Sequence, residues 1–158
     1  MLFLFLLSLL LGVICLAKEG DVHCHGSNSP HGKVCNFKDT GFIDGARLYC
    51  SQYYMARLVP VGTPRGVPYN YAKIRAGDAY RCPGFGRCDL KPAIFLGYIR
   101  FDLAYGNWAD PSDEPANWNW LSYERCMEYM GEIQQYCGGQ GGAYETGYGS
   151  VFGICIQA

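Results

Sequence analysis

The sequence has no excess of basic residues, no second long apolar run beyond its first residues, and no histidine outside one short segment. Lysine and arginine number 13 against 14 aspartates and glutamates, for a net charge of −1. A phosphate backbone would meet no basic footprint, so a nucleic-acid partner is not expected. A polybasic segment or a basic amphipathic helix is also missing, which removes the usual membrane-surface devices. No Asn-x-Ser/Thr sequon occurs, so no N-glycosylation acceptor is offered. Internal repeats, long charge runs and signs of a second domain are absent as well.

What is there begins with cysteine. The chain has nine. Residues Leu2 to Leu11 are almost entirely apolar, and Cys15-Leu16-Ala17 places small residues where a signal peptidase inspects them. Residues 1–17 are therefore read as a secretory signal, too short to span a bilayer comfortably, so no membrane insertion is expected. Residues 18–158 form one domain. Its cysteines are Cys24, Cys35, Cys50, Cys82, Cys88, Cys126, Cys137 and Cys155. An even set in a secreted chain predicts four disulfides and no free thiol. It also predicts an extracellular location, and it argues against a cysteine nucleophile. Eight cysteines allow 105 pairings, and spacing alone does not choose among them.

Hydrophobic periodicity gives the order of elements. Residues Lys18 to Asp39 are polar and irregular. Phe42 to Leu58 has a helical period, with Ile43, Ala46, Cys50, Tyr53 or Tyr54, and Leu58 on one stripe and Pro60 beyond it. Tyr69 to Tyr80 reads as a strand with Tyr69, Tyr71 and Lys73 on one face and Ala72 and Ile74 on the other. Ala93 to Leu103 is a second strand. Phe95, Ile99, Phe101 and Leu103 point one way; Tyr98, Arg100 and Asp102 point the other. Trp120 to Tyr136 is a helix burying Tyr123, Met127, Met130 and Ile133 or Gln134, capped by Gly138-Gly139. Ala143 to Tyr148 and Val151 to Ile156 make a closing hairpin. This order predicts an α+β domain: a small antiparallel sheet with two main helices packed on it, stapled by disulfides.

Three groups of side chains are candidates for chemistry. His23 and His25 flank Cys24 like a metal clip, but a disulfide at Cys24 leaves no thiolate and no fourth ligand is apparent. Exposed loop histidines are the simpler reading, and no metal or other cofactor is expected. The carboxylates Asp102, Asp110, Asp113 and Glu114 gather around one loop without a calcium-loop pattern. A solvated acidic loop accounts for them. A small hydrolase pairing Asp102 or Glu114 with a histidine is the weakest functional alternative.

The third group is aromatic. Trp108, Trp118 and Trp120 border a polar segment with Asn107, Asn117, Asn119, Asp110 and Asp113. Sugars present apolar C–H faces ringed by hydroxyls, so their recognition needs flat aromatic surfaces beside fixed carboxylates and amides. Trp120 is assigned to the start of the helix. Trp108, Asp110, Asn117, Trp118 and Asn119 are the first candidates for a ligand surface, extended by Tyr144 and Tyr148 near the last turn. The chemistry predicts a non-catalytic, lectin-like protein whose partner is a glycan or glycoprotein.

The C-terminal half also carries a resemblance. Cys126-Met-Glu-Tyr-Met-Gly-Glu132-Ile133-Gln-Gln-Tyr-Cys137-Gly-Gly, a second pair at Gly141-Gly142 and a closing strand from Phe152 to Cys155 resemble small secreted fungal cysteine-rich proteins. Closest in layout is a family of fungal glycan-binding proteins with an α/β/α sandwich, and Val22-His-Cys24 fits the same plan. The resemblance implies glycan recognition. Killer-toxin-like and effector-like proteins share the layout, so a secreted toxin or host-directed effector acting on a protein is the alternative.

Overall fold

The computed structural model describes residues 20–26, 34–54, 66–81, 88–101, 122–146 and 149–158. The strands are β1 (Val22–Cys24), β2 (Asn36–Phe37), β3 (Pro68–Arg81), β4 (Asp89–Phe101), β5 (Gly141–Thr146) and β6 (Gly149–Gln157). The helices are α1 (Gly41–Tyr49), which runs into a π-helical turn at Cys50–Tyr54, and α2 (Tyr123–Cys137). The strands form one six-stranded sheet in the order β1-β5-β6-β4-β3-β2, with every pairing antiparallel. This is the expected α+β architecture.

Both helices pack on one face of the sheet. Phe42, Ala46 and Tyr49 of α1 and Cys126, Met130 and Ile133 of α2 are buried against Ile74, Phe95, Ile99, Val151 and Cys155. Deleting a large side chain from such a core costs about 3–5 kcal/mol for an aromatic ring. Gly45 explains itself here: a Cβ at that position would lie 2.5 Å from Cβ of Phe95. The glycine that weakens the helical pattern is what lets α1 lie directly on β4.

The buried stripe of α1 is shifted from the expected one. Phe42 is fully buried and Ile43 only half so. The regular helix ends at Tyr49, and the wider π turn then carries Cys50 and Tyr54 inward while Tyr53 stays exposed. Helix α2 begins with Ser122, whose Oγ accepts from the Arg125 amide at 3.0 Å. It ends at Gly138, as the sequence predicts, with φ of 59°.

One strand residue changes face. The sequence pattern groups Tyr69 with Tyr71 and Lys73, but Tyr69 pairs with Ile99 and packs toward the helices. A register shift between Tyr69 and Ala72 separates it from its neighbours, and Asn70 has a φ of 50°. The Asn70 side chain donates to the Tyr54 carbonyl at 3.2 Å. The bulge inserts one residue, and everything before it rotates to the other side of the sheet. Strand β4 is buried on both faces, with Phe95, Leu96, Tyr98 and Ile99 at most 3 % exposed, as befits a central strand.

The seven described cysteines are all disulfide-bonded, in line with the predicted framework; Cys82 lies outside the described residues. Cys24–Cys137 ties β1 to the end of α2, Cys35–Cys155 ties the residue before β2 to β6, and Cys50–Cys126 joins the two helices. These bridges span 113, 120 and 76 residues of sequence. In the chain-entropy account a loop of roughly 100 residues contributes about 4.7 kcal/mol, so long-range closure is a large stabilising term here. No described helix is long and apolar enough to cross a membrane.

Candidate functional site

Alternation along the strands gives the sheet a second face, turned away from both helices. Leu96, Tyr98, Ala143, Phe152, Ile154 and Ile156 form a separate apolar cluster there. A row of rings crosses this face from strand to strand. Tyr71 of β3 stacks on Tyr98 of β4 with centroids 6.4 Å apart. Tyr98 stacks on Phe152 of β6 at 4.3 Å and nearly parallel, and the His25 ring lies 5.6 Å beyond Phe152. Offset stacks of this kind add to area burial. Tyr98 and Phe152 are buried, while Tyr71 is 46 % exposed.

A polar row runs beside the rings, one register step toward the end of the sheet. Arg100 of β4 pairs with Ser150 of β6, and Ser150 pairs with Glu145 of β5. Ser150 Oγ donates to Glu145 Oε2 at 2.5 Å, and Glu145 is only 7 % exposed. A buried carboxylate needs such a donor, because an unpaired charge is costly away from water. The Arg100 guanidinium sits 5.2 Å from the Phe152 ring centre, a cation–π distance. Burial pushes the Tyr98 phenol up to about 12, with Arg100 opposing the shift and Tyr71 adding to it. The phenol therefore remains a hydrogen-bond donor across the physiological range.

The sequence-derived candidates distribute as follows. Tyr144 lies on the helix side, half-buried, with its ring stacked on Tyr129 of α2 at 4.6 Å. Trp108, Asp110, Asn117, Trp118, Asn119 and Tyr148 lie outside the described residues, as do Asp102, Asp113, Glu114, Trp120 and His31. Chain continuity still fixes where their segments attach. Residues 102–121 follow Phe101 and precede Ser122; residues 147–148 join Thr146 to Gly149. Phe101 pairs with Gly149, and Thr146 pairs with Gly149. Phe101 and Thr146, the described residues before these segments, therefore both lie at the end of the sheet marked by Arg100, Ser150 and Glu145.

Cys24, between His23 and His25, is bonded to Cys137, so no thiolate stands between the two histidines. Among the described residues no group of three or more His, Cys, Asp or Glu side chains is placed to hold a metal ion.

Sequence reasoning singled out neither Tyr71 nor the Arg100–Ser150–Glu145 row. Alternation in β4 correctly grouped Tyr98 with Arg100. What it lacks is the partner strand: Phe152 and Ser150 arrive beside them from 54 and 50 positions away through the β4–β6 pairing. No family model, no curated protein and no solved structure matches the chain.

Proposed function

We propose that this protein is a secreted, lectin-like carbohydrate-binding domain that works by binding rather than by catalysis. One observation carries the reading. Phe101 and Thr146, which precede the segments bearing the aromatic and amide candidates in sequence, both pair with Gly149 at one end of the sheet. That end already carries a ring row and a fixed polar row. A sugar needs a flat apolar surface beside oriented donors and acceptors, and this end supplies both kinds of group. Tyr98 and Phe152 are buried, so their part is to hold the exposed Tyr71 ring and the Arg100 guanidinium in place. Trp108, Trp118, Asn117, Asn119 and Asp110, outside the described residues, are the further contacts this reading assigns.

Secretion rests on two supports. The apolar stretch of residues 2–11 has the length of a signal core. The framework of long-range disulfides is of a kind that persists in an oxidising compartment.

The test is a glycan array probed with the oxidised protein recovered from a secreting host. Selective binding to a few related sugars, competed by the free sugar and weakened by Trp118→Ala with the fold intact, is the expected result. Binding that survives alanine at both Trp108 and Trp118 moves the site away from that segment. A blank array favours the toxin or effector reading, with a protein as the target.

A further inference from the structure

The open part of the second face is a strip along β3, and its chemistry narrows the ligand. Tyr71, Lys73 and Arg75 alternate on the strand and all three are exposed. Lys73 pairs with Leu96 and Arg75 with Ile94, so both point to the same side as the ring row. Their Cα atoms span about 13 Å of strand. The Lys73 ammonium lies 5.9 Å from the centre of the Tyr71 ring. Neither cation forms an ion pair with a carboxylate among the described residues. Asp78 follows a second register shift and pairs with Pro92, so it stands on the same face beyond Arg75, and it forms no ion pair with either cation. In a chain of net charge −1, this is a local concentration of positive charge beside an exposed ring.

We infer that the Tyr71–Lys73–Arg75 strip binds the acidic units of an anionic polysaccharide, a polymer of uronic acids, and so sets the specificity of the proposed carbohydrate site; the inference rests on that reading. The tyrosine ring takes the C–H face of one sugar. The guanidinium of Arg75 takes a carboxylate through two parallel N–H donors, which ammonium groups do not match in geometry. Lys73 acts as a point charge between them. An unesterified uronate supplies a flat apolar face and a carboxylate on each residue. A nucleic acid also supplies anions, but the chain as a whole offers no extended basic footprint for a phosphate backbone.

The experiment compares binding of the oxidised protein to polygalacturonate and to the same polymer with its carboxylates methyl-esterified, at low and high salt, with a single-stranded oligonucleotide as a third probe. The expected result is binding to the acidic polymer that weakens as salt screens it, at least about tenfold weaker binding to the ester, and a comparable loss in Lys73→Gln/Arg75→Gln. These side chains are exposed, so the variant keeps the thermal stability of the parent, which is checked in parallel. Equal affinity for the acid and the ester overturns the inference while leaving carbohydrate binding standing. Preference for the oligonucleotide overturns it in favour of a phosphate ligand. No binding to either polymer, together with a blank glycan array, removes the carbohydrate reading itself.

Discussion

Gly97 of β4 lies directly beneath the ring of Tyr49: a Cβ at position 97 would sit 2.5 Å from Tyr49 Cδ2 and 2.6 Å from Cγ. Tyr49 is completely buried, between Tyr54 and Phe95. The approach of α1 to the sheet at this point is therefore set by a missing side chain on one partner and a large one on the other. Gly97→Ala forces the ring or the helix to move, and overpacking of a filled core costs about 1–3 kcal/mol. Urea titration of the oxidised protein measures this as a lower midpoint with an unchanged slope. A stability equal to that of the parent means that α1 does not seat on β4 in this way. Pairing the change with Tyr49→Leu relieves the clash, so the two substitutions are not additive.

The bulge at Asn70 makes a second, separable prediction. Its backbone φ of 50° is one that Asn and Gly adopt most readily, and its side chain bonds the Tyr54 carbonyl at the end of the π turn. Asn70→Gly keeps the backbone option and loses the bond, at about 1 kcal/mol. Asn70→Val loses both and costs more, because a β-branched residue resists that conformation. Equal stabilities for the two variants would show that the backbone angle is not what selects asparagine here.

The disulfides differ in access. Cys50 and Cys126 are fully buried, whereas Cys24 is exposed and Cys137 half-buried. Exchange requires an attacking thiolate to reach a sulfur, so limited reductant opens Cys24–Cys137 before Cys50–Cys126. Timed alkylation followed by peptide mapping reads the order directly. Opening the first bridge frees the short strand β1 from α2, so residues 20–26 gain amide exchange before the helix pair does. Simultaneous loss of all bridges would show that global unfolding, not local access, controls reduction.

Much of this fold was legible in the chain, for identifiable reasons. The α2 helix and the β5–β6 hairpin follow from periodicity and from the glycines that separate them. The disulfide framework follows from parity and composition. The side changed by Tyr69 was not legible, because an alternating pattern assumes that no residue is inserted, and Asn70 resembles any other strand residue until its φ is known. The π turn after Tyr49 was hidden for a similar reason: one extra residue per turn shifts the stripe by less than the pattern resolves. Of the candidate site, Tyr98 and Arg100 were legible as sharing one face by alternation, while the tryptophans and amides of residues 102–121 lie outside the described residues. The arrival of Ser150, Phe152 and Glu145 beside Tyr98 and Arg100 depends on cross-strand register, which no local pattern contains.

The tyrosines make the fold sensitive to alkali in a way that tests the second face. Burial raises the phenol of Tyr49, with Tyr54 adding to the shift, and burial raises that of Tyr54 as well. The Tyr98 phenol is pushed up to about 12. A free tyrosine titrates near pH 10. Above that pH the unfolded chain has released these protons and the folded chain still holds them. Stability is therefore fully present below about pH 10 and falls as pH rises toward the folded values. Phenolate absorbance should show the native protein at least three phenolates short of the denatured protein at about pH 11, out of 13 tyrosines in the sequence. Tyr98→Phe removes one of the three late protons and reduces the loss of stability between about pH 10 and 12, without moving the Tyr49 and Tyr54 steps. If every tyrosine of the folded protein instead titrates in a single step near pH 10, Tyr98 is open to water, and the ring row on the second face is not packed as described.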